Sequence, residues 1–123
     1  MNNRNFFTYV VNSGSIAING GTTNPTLQMA SDSKFIPRRI IATGNAGVTL
    51  LIQYNNTENL SNVPFNTSLF NNTSNAGVPI LDLNVWDENA QLKFNFTNTN
   101  TGGNALNEQI IIVGEKIPVQ PNA

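Results

Sequence analysis

Side chains in this chain alternate with a period of two wherever apolar residues gather, and that pattern commits the chain to strands rather than helices. The clearest stretch is Gln91 to Thr97, where Leu92, Phe94 and Phe96 share one face and Gln91, Lys93 and Asn95 the other. An antiparallel strand with one face on a core and the other towards water reads this way. Val48 to Tyr54 alternates likewise, but Leu51 makes its polar face partly apolar, so a central place in a sheet is expected. Ile80 to Val85 sets Leu81, Leu83 and Val85 against Ile80, Asp82 and Asn84. Gln109 to Glu115 carries Ile111 and Val113 on one face and Ile110 and Ile112 on the other. It predicts a strand covered on both sides, either within the chain or on one side by a neighbouring subunit. Phe6 to Val11 and Phe35 to Ala42 are further strands, with weaker ones at Ser15 to Ile18, Thr26 to Met29 and Val63 to Leu69.

Turn chemistry separates these segments. Asn19-Gly20-Gly21 suits a tight hairpin whose central residues need positive φ. Thr43 to Gly47 joins two strong strands and predicts a hairpin loop, as does Thr99 to Asn107 around Gly102-Gly103. Pro37 cannot donate to a ladder, so its strand is expected to start after it or to lie at an edge. Eight or nine short strands with one long polar crossover after Tyr54 predict an all-β protein, an antiparallel β-sandwich, with an eight-stranded single jelly roll as its natural form. An immunoglobulin-like sandwich is the alternative, without that fold's Cys-Trp-Cys signature. One sandwich domain over residues 1–123 is expected, with an N-terminal arm at Met1 to Asn5 and an extended tail at Ile117 to Ala123.

Composition excludes whole classes of chemistry. The chain holds neither Cys nor His, which removes disulfides, the usual zinc ligands, thiol nucleophiles and imidazole acid-base catalysis. No catalytic residue, metal site or cofactor is predicted. Six cations face seven acids, with no basic excess to neutralise phosphates, so nucleic acid is not expected as the main partner. The longest aliphatic run is Ile110 to Val113, far short of a transmembrane segment, and no export leader is read at the N-terminus. Polarity is instead uncharged: 23 Asn, 12 Thr, 7 Ser and 5 Gln suit strands joined by polar loops, with coding bias as one source of the Asn excess.

Few constellations invite a function. Glycoside hydrolysis needs only two carboxyls, and Glu58, Asp82, Asp87 and Glu88 could supply them, but nothing marks one pair out. Trp86-Asp87-Glu88-Asn89 reads as a polar turn whose ring covers the core; as a binding site, Trp86 would be a stacking platform for a sugar, with Tyr9 and Tyr54 as further surfaces. Lys34, Arg38 and Arg39 hold half of the cations, and the first 50 residues carry +3 against −4 in the rest. Unlike patches of this kind would orient subunits head to tail. Six Asn-x-Ser/Thr sequons, from Asn55 to Asn95, stand against roughly three or four expected by chance from this composition, and without an export leader they carry no functional reading.

Three segments carry a likeness. Val78-Pro79-Ile80-Leu81-Asp82-Leu83, then Gln91 to Asn98, then Gln109 to Lys116 resemble small bacteriophage virion proteins, in which a strand ending Phe-Thr-Asn precedes a polar Gly/Asn loop and an aliphatic strand ending Gly-x-Lys. Ile36-Pro37-Arg38-Arg39-Ile40-Ile41 resembles the strand that enters their first hairpin. The resemblance implies a single jelly-roll virion component, a minor capsid, vertex, decoration or spike-base protein, assembled as a trimer or pentamer with other capsid proteins. Candidate intersubunit contacts are Phe6, Phe7, Phe65, Phe70, Ile110 and Ile112, with Lys34, Arg38 and Arg39 as charged contacts. The alternative from a different class is a carbohydrate-binding β-sandwich using Trp86.

Overall fold

The computed structural model describes residues 5–55, 58–60, 63–70, 78–79 and 85–119. Ten strands lie among them: β1 (Asn5–Ile16), β2 (Gly21–Thr23), β3 (Thr26–Gln28), β4 (Ser33–Ala42), β5 (Val48–Tyr54), β6 (Glu58–Asn59), β7 (Phe65–Asn66), β8 (Val78–Pro79), β9 (Gln91–Asn98) and β10 (Leu106–Pro118). A single 3-10 turn, Thr67–Phe70, is the only helical element among the described residues. All pairings are antiparallel. One sheet runs β1-β10-β4-β8 and the other β2-β9-β5-β6, with β3 continuing the edge of β9 beyond β2, and β7 that of β5 beyond β6.

The two sheets close face to face over one apolar core, a β-sandwich. The first sheet contributes Val11, Phe35, Ile40, Ala42, Ile110 and Ile112, and the second Val48, Leu50, Ile52, Leu92, Phe94 and Phe96. In β9 every second side chain is buried, Leu92 through Asn98, as the alternation requires. β5 spans the expected residues and is central, flanked by β9 and β6/β7.

Three expectations about connections are corrected. The segment at Asn19-Gly20 has the positive φ angles of a tight turn, 62° and 83°, yet it carries the chain from β1 in one sheet to β2 in the other. The loops 43–47 and 99–105 likewise cross between sheets, β4 to β5 and β9 to β10. Turn propensity reports the reversal of a chain; whether the next strand pairs with the last one depends on the opposite layer.

Two bulges explain further departures. In β4 the register jumps between Val113↔Arg39 and Gly114↔Pro37, leaving Arg38 as the extra residue. Burial therefore falls on Ser33, Phe35 and Pro37 before the bulge and on Ile40 and Ala42 after it. Pro37 sits inside this strand rather than ahead of it, because a bulge interrupts the ladder where its missing N–H would be needed. In β1 the register shifts between Asn12 and Ser15 around Gly14 (φ 75°), which fuses the expected Phe6–Val11 and Ser15–Ile18 segments into one strand.

The terminal assignments change too. Asn5 already belongs to β1, opposite Lys116, and β10 continues through Ile117 and Pro118 opposite Lys34 and Ser33. The Val119 N–H then donates to the Asp32 carbonyl at 2.9 Å. A tail therefore cannot begin at Ile117, since the N-terminal end of β4 is there to pair with it. Met1 to Arg4, Gln120 to Ala123 and most of the expected Ile80 to Val85 strand (80–84) lie outside the described residues.

Candidate functional site

The outward face of the first sheet is where this chain departs most from a water-facing surface. Register aligns its side chains in rows across β1, β10 and β4: Val10, Ile111 and Ile41; then Thr8, Val113 and Arg39; then Phe6, Glu115 and Ile36. Phe6 is 65% exposed and Val10 48%, while Ile111, Val113, Ile36 and Ile41 are half-buried by their neighbours. Large apolar side chains in adjoining rows on one open face mark an interaction surface more than isolated exposed ones do.

This corrects the placement of two candidate contacts. Ile110 and Ile112 are fully buried in the core of their own chain, and the apolar residues that β10 turns outward are Ile111 and Val113. Four consecutive aliphatic residues leave the phase of a strand open; the register with Val11 and Tyr9 on one side and Ala42 and Ile40 on the other settles it. Phe6 is on the outward face as expected. Phe7 points the other way, its ring edge-on to Tyr9 at 4.7 Å and covered by the Lys116 ammonium 3.8 Å from its centre. Phe65 packs against the core, and Phe70 closes the 3-10 turn, its side chain outside the described set.

The charged cluster is largely matched inside the chain. Arg38 Nε donates to Glu115 Oε2 at 2.9 Å, and Lys34 lies 3.7 Å from Asp87. Both pairs are exposed enough to contribute only about 0–1 kcal/mol each. Both pairs match a cation of the first 50 residues with an acid of the rest. Arg38 and Arg39 both point outward because the bulge makes Arg38 an extra residue between Pro37 and Ile40 of the inward row.

At the end of the sandwich where β1 begins and β10 finishes, Trp86 is 4% exposed. Its backbone exchanges two hydrogen bonds with Phe35, each 2.8 Å, and its ring lies 5.7 Å from that of Phe35. A ring enclosed in this way offers no open face to a sugar, so Trp86 as a stacking platform is corrected to a core lid. The following turn bends through Asn89 (φ 63°), and Asn89 N–H holds the Ala30 carbonyl. A cleft of about 210 Å³ opens beside it, bounded by Tyr54, Glu58, Leu60, Val85, Trp86 and Asp87. Tyr54 receives a hydrogen bond from the Asp87 backbone N–H at 3.0 Å and donates to Asp87 Oδ2 at 3.3 Å. Burial raises the Tyr54 phenol above its ordinary value of 10.0; the bond from the Asp87 N–H opposes this, and the carboxylates of Asp87 and Glu58 reinforce it. Tyr9 is wedged between the rings of Phe7 and Phe35. Of the carboxyls weighed for hydrolysis, Asp82 lies outside the described residues, as do the sequons at Asn71 and Asn72.

The opposite end contains polar groups that the sequence did not single out. Glu108 is 2% exposed, and its carboxylate accepts from Gly44 N at 3.0 Å, from Asn45 N at 2.7 Å and from Asn45 Nδ2 at 2.7 Å. Asn98, fully buried, donates to the Ile16 carbonyl and accepts from the backbone and side chain of Asn100. Asn100 in turn donates to Ala46 and accepts from Asn19 N through its own carbonyl. These bonds stitch the three inter-sheet loops together, so part of the Asn excess has a structural use. Only a Glu followed by aliphatic alternation was visible in sequence, and nothing in that spacing announces burial.

Among the described residues no three of His, Cys, Asp and Glu gather at metal-binding distance, and no helix is long and apolar enough to cross a membrane. Comparison with family models, with curated proteins and with solved structures finds no match for this chain.

Proposed function

We propose that the chain is a structural subunit of a bacteriophage virion, folded as a single jelly roll, that acts through contacts with copies of itself and with other capsid proteins. The observation that carries this reading is the outward face of the first sheet, where Phe6, Val10, Ile41, Ile111 and Val113 lie together on registered strands. Covering that face with another subunit would remove apolar surface from water, at about 25 cal/mol per Å². A minor capsid, vertex, decoration or spike-base role fits a domain whose working surface is a sheet face rather than a cleft.

The jelly-roll part rests on strand order. When β2 and β3 are counted as one edge strand broken at Pro25, and β6 and β7 as another, eight strands remain. The first then pairs with the last, the second with the last but one, and so inward to the middle pair. A long hairpin wound over itself has this order, with successive strands alternating between layers on either side of the middle pair.

The test has two arms. Sedimentation equilibrium on the purified chain reports self-association, and a mass-spectrometric inventory of particles encoded by the same genome reports incorporation. A chain that stays monomeric at high micromolar concentration and is missing from particles overturns the reading. The second reading, a carbohydrate-binding module, is favoured by the Tyr54–Asp87 cleft alone. It predicts that sugars quench or shift aromatic fluorescence and that Tyr54→Ala abolishes the response.

A further inference from the structure

Four sheet edges exist among the described residues, and three are blunted. β8 pairs through two residues, one of them Pro79; β6 and β7 are two residues each; β2 and β3 are three each, separated by Asn24 and Pro25. Short, broken or proline-bearing edges are the usual protection against pairing with another chain. β1 has none of these. It runs twelve residues, bulged only between Asn12 and Ser15, contains no proline and no charged side chain, and its one ladder partner among the described residues is β10. An edge of that length without a charge presents a row of backbone donors and acceptors to any extended segment.

The residues along this edge say which segment. Phe6-Phe7-Thr8-Tyr9-Val10 is self-complementary when laid antiparallel on itself about Thr8. Thr8 then faces Thr8 of the partner subunit, Phe6 faces Val10 of the partner subunit on the outward side, and Phe7 faces Tyr9 of the partner subunit on the inward side. Thr–Thr, aromatic–β-branched and aromatic–aromatic pairs are the favoured cross-strand combinations. Shifting the dyad to Phe7 or Tyr9 sets Thr8 against Phe6 or Val10 instead. The absence of charge matters here, because antiparallel self-pairing sets the residues about the dyad near their own copies, and a lysine or glutamate at or beside Thr8 would oppose its like.

We infer that two copies of this chain associate about a two-fold axis at Thr8, joining their β1 edges into one continuous sheet. The inference deepens the structural-subunit reading by naming its self-contact, and gives an even-numbered assembly in place of the trimer or pentamer that the resemblance implies. The joined sheet carries the apolar rows of both copies, Val10–Ile111–Ile41 and its mate, as a single doubled face. A stable interface uses about 20–30 residues a side, more than one strand supplies, so the pair forms in a concentration-dependent way.

The chain has no cysteine, so single-cysteine variants report geometry cleanly. Thr8→Cys treated with a short bismaleimide is expected to give a covalent dimer at least tenfold faster than Asn12→Cys. In this register the two copies of position 12 stand eight residues apart, about 27 Å. Val10→Lys, on an exposed side chain, is expected to raise the concentration for half-association at least tenfold, with circular dichroism and melting temperature showing the fold retained. Equal crosslinking of Thr8→Cys and Asn12→Cys overturns the inference, as does an unchanged midpoint for Val10→Lys. If the wild type still associates in those cases, another surface serves and the structural-subunit reading stands. Crosslinking at Thr8 by a chain missing from particles supports the interface and removes the virion reading.

Discussion

Glu108→Gln tests whether a buried carboxylate holds the sandwich shut at its loop end. The carboxylate accepts three hydrogen bonds, one on Oε1 from Gly44 N and two on Oε2 from Asn45 N and Nδ2. Its own backbone N–H is taken by Ser13 Oγ at 2.8 Å, which ties the residue to β1 as well. Glutamine keeps the shape but can place oxygen on one side only. With the amide oxygen towards Asn45, its NH2 meets the Gly44 N–H, donor against donor. That loses one charge-assisted bond, worth about 1.5–3 kcal/mol, and reduces two others towards neutral strength. The shallow cleft beside Glu108, lined by Asn12, Gly14, Thr43, Asn107 and Gln109, admits water and returns part of this. The expected loss is about 2–3 kcal/mol, read as a lower urea midpoint at unchanged m value. Glu108→Ala should cost a similar amount, since water can reach both loop amides. A loss below about 0.5 kcal/mol for Gln, within the range of ordinary surface changes, would show that these bonds do not hold the loop.

Other outcomes follow from the same packing. Gly114 lies where a Cβ would meet the Ile36 carbonyl and stand 2.6 Å from Phe35 Cζ, so Gly114→Ala should destabilise by at least about 1–3 kcal/mol in thermal or urea unfolding. Phe94→Ala opens a cavity at a fully buried site and should cost about 3–5 kcal/mol by the same measurement. Tyr54 is expected to ionise above 10.0 in absorbance titration at high pH, burial being the main cause. Because its folded pKa is raised, its contribution to stability is complete below pH 10.0 and is lost as pH climbs through the folded value; Tyr54→Phe should flatten that part of the stability profile. Arg38→Ala should change stability by no more than about 1 kcal/mol, because its partner Glu115 remains partly solvated.

The residues behind these effects differ in how far they could be read in advance. Phe94 was legible: β9 alternates without interruption, and its inward set is the apolar one. β5 was legible for the same reason. Gly114 was visible only as a short motif, whose use appears once β4 is seen to bulge against it at Pro37 and Arg38. Glu108 and Asn98 were not legible, since a buried polar side chain is identified by partners from distant loops.

From the sequence alone come the strand content, the faces of β5 and β9, the positions of the reversals and the lack of cysteine and histidine chemistry. All of these depend on the residue itself or on neighbours one or two positions away, because a pleated strand alternates whatever lies beside it. The tertiary structure alone decided that the strands joined by the loops 17–20, 43–47 and 99–105 belong to opposite sheets, that Ile110 and Ile112 face inward while Ile111 and Val113 face out, and that Trp86 is enclosed. Phase and layer are set by pairing across the chain: Val11 and Ala42 align with Ile110 from either side, and the bulges at Gly14 and Arg38 shift the inward row by one residue partway along a strand. Such information is carried by contacts between residues distant along the chain, and no local period contains it.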